Sequence, residues 1–401
     1  MRFPLPLTLK IASTLLKQRW RAVSRFATVL QLEPLHACNL ACTGCGRIRE
    51  YASTIRDMMP LADCLAAAAE CDAPMVSICG GEPLLYPEIE ALVAGLRDQK
   101  RIVYLCTNAL IMRRKMSDYL AVQWSEEPRR FEPILYQLIL EKLISHKEAA
   151  VIRSGRIDKK RPVIKPSRWF YWNIHLDGLE ATHDRIVEKS GVFKECVLAI
   201  RMAKILGYQV ATNTTIYKQT KMVEIEELWS FLGTLGVDGH TITPGYDYAE
   251  AAEAMVRRKQ GRPEDFFLTR ADTIEKFRNA EEWGRRFPLL GTPVYLEFLA
   301  GKRELSCSAW AIPTRNVRGW KGPCYLITDA HYASYRELIE ATDWDRLGRV
   351  NGVARDPRCE HCMVHCGHEP TATLGINAQR GDIWKNLRFN FGPRPRITAK
   401  R

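Results

Sequence analysis

No acidic residue occurs before Glu33, although the stretch from Met1 to Leu32 carries six basic ones. An opening of one sign cannot neutralise itself, so it suits an anionic surface. Long apolar runs are also missing. In MRFPLPLTLKIASTLLKQRWRAVSRF, Lys10 and Lys17 break the hydrophobic pattern and no small-residue cleavage site follows, so neither a membrane span nor a cleaved leader is expected. There is no internal repeat and no low-complexity tract. A further absence raises the central question. The stretch EPLHACNLACTGCGR sets Cys38, Cys42 and Cys45 in a C-x-x-x-C-x-x-C spacing, and no fourth cysteine follows before Cys64.

What is present is a chain of 401 residues, 46% hydrophobic and 26% charged, enough for one large barrel with an appended module. Thirteen cysteines without a secretory leader argue for metal or redox chemistry in a reducing, cytoplasmic setting, because small secreted domains carry far denser cysteine. The net charge of +13 is peripheral. Residues 1–32, 111–170 and 379–401 together carry +19, so the remainder is net negative. Such patches suit an anionic membrane or nucleic acid; no RNA-recognition signature accompanies them, so nucleic acid is not expected as a partner.

Strand and helix patterns alternate. FATVLQLEP, PMVSICGGEP, RIVYLCTN, FYWNIHLDG, YQVATNTTIY and VDGHTITPG read as strands, separated by helical stretches such as LADCLAAAAECDA, YPEIEALVAGLRDQ and VFKECVLAIRMAKILG. This order implies an α/β fold with a parallel sheet, a full or partial (β/α) barrel before a doubly wound sheet. Functional residues of such barrels sit at the C-terminal ends of strands, where the cysteine loop, GGEP, CTN, HLDG, TNTT and TPGY all fall. The division expected is a basic amphipathic segment at 1–26, a barrel at 27–290 with an insertion at about 111–170, and a cysteine-rich module with a basic tail at 291–401.

Three thiolates can ligate three irons of a four-iron cubane and leave the fourth open, whereas structural zinc needs four protein ligands and has only His36 nearby as a fourth. An open-iron cluster at Cys38, Cys42 and Cys45 is therefore expected. Cys64, Cys71, Cys79 and Cys196 read as small buried hydrophobes.

The cysteine loop joined to Gly80, Gly81, Glu82 and Pro83 resembles the radical S-adenosylmethionine (SAM) superfamily. The resemblance implies a [4Fe-4S] cluster whose open iron chelates SAM, with paired glycines close to the methionine amino group. It implies SAM contacts for Asn108, His175, Asp177 and Asn213. Gly44 departs from the pattern, since many members have an aromatic residue before the third cysteine. The wider set LEPLHACNLACTGCG, VSICGGEPLL, VYLCTNAL, LGVDGHTITPGYDY, LEFLAGKRELSCSAWAIPTRNVRGWKGPCYL and CEHCMVHCG is similar to the adenosylhopane synthases of hopanoid biosynthesis. That resemblance implies addition of a 5′-deoxyadenosyl radical to the alkene of hopene (diploptene), a partner such as flavodoxin or ferredoxin as electron donor, and peripheral contact with the inner face of the cytoplasmic membrane.

Cys106, at a strand end, is the candidate hydrogen-atom donor to the resulting carbon radical. The resemblance does not account for residues 111–170, whose place directly after Cys106 could let them reshape the cavity mouth; their role is left open by the sequence. Cys307, Gly319 and Cys324 in C-x11-G-x4-C, followed by Cys359, Cys362 and Cys366, look like an auxiliary-cluster module, with His361, His365 and His368 leaving zinc open. That module also supports an alternative, a radical SAM maturase acting on a peptide. LPLTLKIASTLLKQRWRAVSRF is expected to form a helix with its leucines and isoleucine on one side, lying on a membrane or docked on the barrel base.

Overall fold

The computed structural model describes residues 4–46, 50–155, 158, 160–376 and 378–392. The basic tail, residues 393–401, lies outside them. Six parallel strands carry the fold: β1 (Val29–Glu33), β2 (Met75–Ile78), β3 (Ile102–Thr107), β4 (Phe170–His175), β5 (Gln209–Ile216) and β6 (Gly239–Pro244). Three more extend the sheet on the β1 side. β7 (Thr314–Asn316) is parallel to β1, and β8 (Gly319–Pro323) and β9 (Thr328–Tyr332) are antiparallel. The order is β6-β5-β4-β3-β2-β1-β7-β8-β9. The partial-barrel reading therefore holds, with one addition: part of the cysteine-rich C-terminal region is built into the same sheet.

Helix α1 (Leu5–Trp20) precedes β1, α2 (Leu61–Cys71) joins β1 to β2, and α3 (Ile89–Asp98) joins β2 to β3. Between β3 and β4 lie α4 (Met112–Glu126), α5 (Pro128–Leu140) and α6 (His146–Arg153); between β4 and β5, α7 (Glu180–Ile186) and α8 (Val192–Ile205); between β5 and β6, α9 (Met222–Thr234). After β6 come α10 (Ala249–Arg257), α11 (Pro263–Phe266), α12 (Arg270–Lys276), α13 (Ala280–Arg286) and α14 (Pro293–Leu299). Helices α15 (Tyr335–Ala341), α16 (His365–Leu374) and α17 (Asp382–Phe391) complete the set.

Two-residue alternation sorts each strand. Val76, Ile78, Val103, Leu105, Phe170, Trp172 and Val210 join the main core with Leu92 and Leu96 of α3 and Ala199 and Ile200 of α8. Each large side chain so buried contributes roughly 1.5–3 kcal/mol over leaving it exposed. The intervening residues Ser77, Cys106, Asn173, Asn213 and Thr241 line a cavity instead.

The insertion is not a cavity mouth. Met112, Leu120, Phe131, Leu135, Leu138 and Ile152 are buried in the main core, and Arg113 makes a two-pronged ion pair with Glu195 of α8 at 2.6 and 2.7 Å. None of the described residues between 111 and 170 lines the cavity. Because its apolar residues pack toward α8, the segment thickens the layer outside β3 and β4.

Helix α1 crosses the barrel base. Its Leu7 is fully buried beside Ile102, Tyr104, Tyr171 and Ala211, and Tyr104 stacks on Tyr171 at 4.7 Å. Leu5, Leu9 and Leu16 face outward, so the leucines do not share one side. Leu7 and Leu9 are two residues apart, about 200° around a helix, and cannot share a face.

Candidate functional site

The cysteine loop leaves the C-terminal end of β1, and the loop after β2 is laid against it. Gly81 N–H donates to the Leu35 carbonyl at 3.3 Å and Glu82 N–H to the Ala37 carbonyl at 2.8 Å. A side-chain carbon at Gly81 would sit 2.0 Å from the Ala37 oxygen, and one at Gly80 would sit 2.3 Å from the Leu35 oxygen. Gly80 also has φ +118°. Both glycines are therefore required by contact with the cysteine loop itself.

Glu82 is buried and locked. Its carboxylate accepts from Leu84 N–H at 3.1 Å, Thr107 Oγ1 at 2.7 Å and Asn108 N–H at 2.8 Å, joining the β2 and β3 ends. Burial raises its pKa against these three donors. Asn108 Nδ2 donates to Asn39 Oδ1 at 2.7 Å and so reaches the cysteine loop. Pro83 begins the short turn that follows and is buried.

Across the barrel, His175 Nε2 lies 2.6 Å from Asp177 Oδ2. Burial disfavours the His175 imidazolium, but the Asp177 charge and hydrogen bond outweigh it and raise the pKa. Asp177 accepts from Thr215 N–H at 2.7 Å, and its own N–H donates to His183 Nδ1 at 3.2 Å. Burial holds His183 neutral, with its pKa down to about 4. Asn213 faces the cavity with a buried Oδ1 that has no hydrogen-bond partner.

Cys38, Cys42 and Cys45 open on one cavity with Gly80, Gly81, Glu82, Asn108, His175, Asp177 and Asn213. Burial pushes the Cys38 thiol up to about 11 and Cys42 higher still. Gly44 adopts φ +72°, and a side-chain carbon there would sit 2.5 Å from the Phe266 ring. Phe266 stacks on Tyr217 at 4.1 Å, and Tyr248 Oη accepts from Gly46 N–H at 2.9 Å. An aromatic cover for the loop thus comes from α11 and its neighbours, not from the residue before Cys45. Sequence distance hid it: Phe266 lies far along the chain in an undistinguished stretch.

Cys106 lines the same cavity. Its Sγ is 3.3 Å from Ser77 Oγ and 3.3 Å from Asn173 Nδ2. Burial raises its pKa, keeping the S–H form. Ser77 and Asn173 were not singled out, although each stands two residues before another cavity residue, Cys79 and His175. Cys64, Cys71 and Cys196 are buried as expected, but Cys79 lies just beyond the end of β2 and lines the cavity. The cavity also holds Glu369, pushed up to about 8 by burial, whose Oε1 accepts from Thr292 N–H at 2.8 Å.

The five C-terminal cysteines form a second group, linked to the sheet through Cys324, which directly follows β8. A side-chain carbon at Gly367 would sit 3.1 Å from Cys307 Sγ, and one at Gly348 2.6 Å from Cys307 Cβ. Burial raises the pKa of Cys307, Cys324, Cys359, Cys362 and Cys366, and for Cys307, Cys359, Cys362 and Cys366 neighbouring thiols of the group push the same way. For Cys324 the hydrogen bonds and nearby basic residues oppose burial. His365 and His368 have other partners, Thr243 Oγ1 at 3.2 Å and the Ser306 carbonyl at 3.3 Å. Gly319 has φ +136° and abuts the Tyr332 carbonyl. Among the described residues no three His, Cys, Asp or Glu side chains converge as one ion requires. A cubane needs no such convergence, because its thiolates bind separate irons. Anaerobic reconstitution is expected to load about eight irons and eight sulfides per chain, falling to about four when Cys324 and Cys362 are both replaced by Ala. About four in the unaltered chain would eliminate the second cluster.

A family model described as the Radical SAM superfamily matches residues 32–123, and one described as a domain of unknown function, DUF3463, matches residues 240–386. No curated protein matches the chain. Streptococcus suis SuiB bound to the precursor peptide SuiA shares the fold, with a TM-score of 0.52 and 14% identity over 89% of this chain and 75% of that one. Native anSMEcpe with bound AdoMet and the Cp18Cys peptide has a TM-score of 0.48 and 13% identity over 92% of this chain and 97% of that one. The likeness to SuiB shows a shared fold, and the family match over residues 32–123 is to the radical SAM superfamily. Its cofactors, a [4Fe-4S] cluster and SAM, suit the donors present: three thiols on one loop and an unpartnered amide oxygen at Asn213 across the cavity.

Proposed function

We propose that this radical SAM enzyme transfers the 5′-deoxyadenosyl group to the alkene of a large apolar lipid, in its specific form hopene (diploptene), giving adenosylhopane. The observation that carries the reading is the cavity. It has a volume of about 950 Å³ and extends from Cys38, Cys42 and Cys45 past Cys106 to Met75, Leu290, Leu15 and Leu387. Its lining is predominantly apolar, although Arg19, Glu369, Asp382, Asn386 and Asn390 also border it, which suits a rigid hydrocarbon presenting one reactive end to the cysteine loop.

When bound, the cluster and SAM supply a 5′-deoxyadenosyl radical. The chain's own residues do the rest. Addition to a terminal methylidene leaves a tertiary carbon radical on the lipid, and Cys106 gives it a hydrogen atom from S–H. The resulting thiyl takes one electron and one proton, the electron from an external donor such as flavodoxin or ferredoxin. Ser77 and Asn173 hold the sulfur in the cavity wall, and burial keeps it protonated until then.

A second reading, a maturase acting on a peptide, draws support from the fold shared with peptide-bound SuiB and from the C-terminal cysteine group. Another polycyclic or isoprenoid alkene would fit the same cavity chemistry. Anaerobic incubation of the reconstituted protein with SAM, dithionite and hopene, followed by mass spectrometry of the lipid extract, separates them. A hopene-plus-adenosyl mass is expected. Free 5′-deoxyadenosine with no lipid adduct would reject hopene and turn attention to peptides and other alkenes.

A further inference from the structure

The lower end of the cavity is walled by two helices far apart in sequence. Ile11, Leu15 and Leu16 of α1 face Ile383, Leu387 and Phe391 of α17 across it. Leu16 and Ile383 are at once cavity wall and open surface, 66% and 65% exposed. Beside them Trp20 and Trp384 stand 86% and 76% exposed. Most surface apolar residues occur singly and need no account; a set gathered at the mouth of an apolar cavity does.

Both helices are anchored by their other faces, so the exposed side chains are not waiting to fold inward. Arg19 Nη2 donates to the Leu374 carbonyl at 2.9 Å, tying α1 to the end of α16. Asp382 is held by Arg303 at 2.8 and 2.9 Å, and Asn386 Nδ2 donates to the Ala372 carbonyl at 3.2 Å. The charge left without an ion pair on and beside these two helices is positive. Lys17 and Lys385 are paired with Asp72 and Glu297, while Arg21, Arg25 and Arg388 make no ion pair among the described residues.

We propose that the opening between α1 and α17 is a membrane-facing portal, seated on an anionic bilayer, through which an apolar substrate enters at the barrel base, opposite the cysteine loop. The proposal rests on the lipid reading of the cavity. Paired tryptophans and aliphatic side chains would enter the headgroup region while the unpaired cations meet lipid phosphates. Entry from below leaves the strand C-terminal end to SAM, so the two substrates need not pass each other.

The test uses the full chain and substrate-free vesicles of phosphatidylglycerol or of phosphatidylcholine. Sedimentation with phosphatidylglycerol vesicles is expected, with tryptophan fluorescence quenched by brominated acyl chains. The pair Leu16→Glu and Trp384→Glu should weaken binding about tenfold or more, with the thermal unfolding midpoint unchanged because both sites are exposed. Equal binding by that variant, absence of binding by the unaltered chain, or burial of the tryptophans in a dimer that ignores vesicles would overturn the portal. Because no hopene is present, vesicle binding without a lipid adduct in the product assay would reject the substrate and leave the portal standing. Unimpaired adduct formation by a variant tested on vesicle-borne hopene would reject the portal alone.

Discussion

Gly81→Ala is expected to abolish cluster loading without touching a ligand. The new carbon would lie 2.0 Å from the Ala37 carbonyl oxygen and 2.4 Å from the Ala37 carbonyl carbon, both backbone atoms that no rotamer change can move. The cysteine loop must shift by more than an ångström. Overpacking of this kind destabilises by about 1–3 kcal/mol. The larger effect is on the loop, whose three thiols must each meet a different iron of one rigid cube. Iron and sulfide analysis with visible absorbance after anaerobic reconstitution would read it. Gly291→Ala provides the comparison, since its added carbon would make only ordinary contacts at 3.5 Å and beyond. Normal cluster content in Gly81→Ala would mean that the cysteine loop does not depend on the GGEP turn for its position.

The second large effect concerns product and not cofactor. Cys106→Ala should leave SAM cleavage within about twofold of the unaltered enzyme while saturated adduct falls by about a hundredfold or more, because no other S–H faces that position from β3. Cys79 is the nearby control, since it too lines the cavity but stands two strand steps along the neighbouring β2 from Ser77. In deuterated water, exchange at the Cys106 thiol should carry deuterium into the product of the unaltered enzyme. Unchanged adduct yield in Cys106→Ala would remove this thiol from the reaction and leave it a wall residue.

Much of this was readable in sequence, for local reasons. All six strands β1–β6 announced themselves through apolar runs, four of them ending in glycine, asparagine or aspartate, and the ends of those runs are where the site residues stand. The three-cysteine loop was legible because its spacing is contiguous. What escaped depends on contacts between distant segments. Phe266 over Gly44 follows from how α11 returns after β6. Cys79 looked like filler because its neighbours Ile78 and Val76 are core residues, yet alternation turns it inward. The insertion misled because a basic surface and an apolar underside average to an ambiguous composition, and only packing against α8 reveals which side matters. The leucines of α1 were assigned to one face, but a helix covered below by a barrel and open above can be apolar on both.

The sheet has a consequence for biosynthesis. β1, from which the cysteine loop springs, is paired with β2 on one edge and with β7 on the other, and Gln31 and Thr314, joined by a 3.0 Å side-chain hydrogen bond, are 283 residues apart. A nascent chain released only as far as β6 therefore carries β1 with one edge bare, beneath an unfinished cysteine loop. Such long-range pairing closes late. An unprotected edge strand is also a site of mispairing between chains. Iron delivery during translation would meet a loop without its final support, so synthesis must pass Asn316 before the loop can take up its metal in the geometry described.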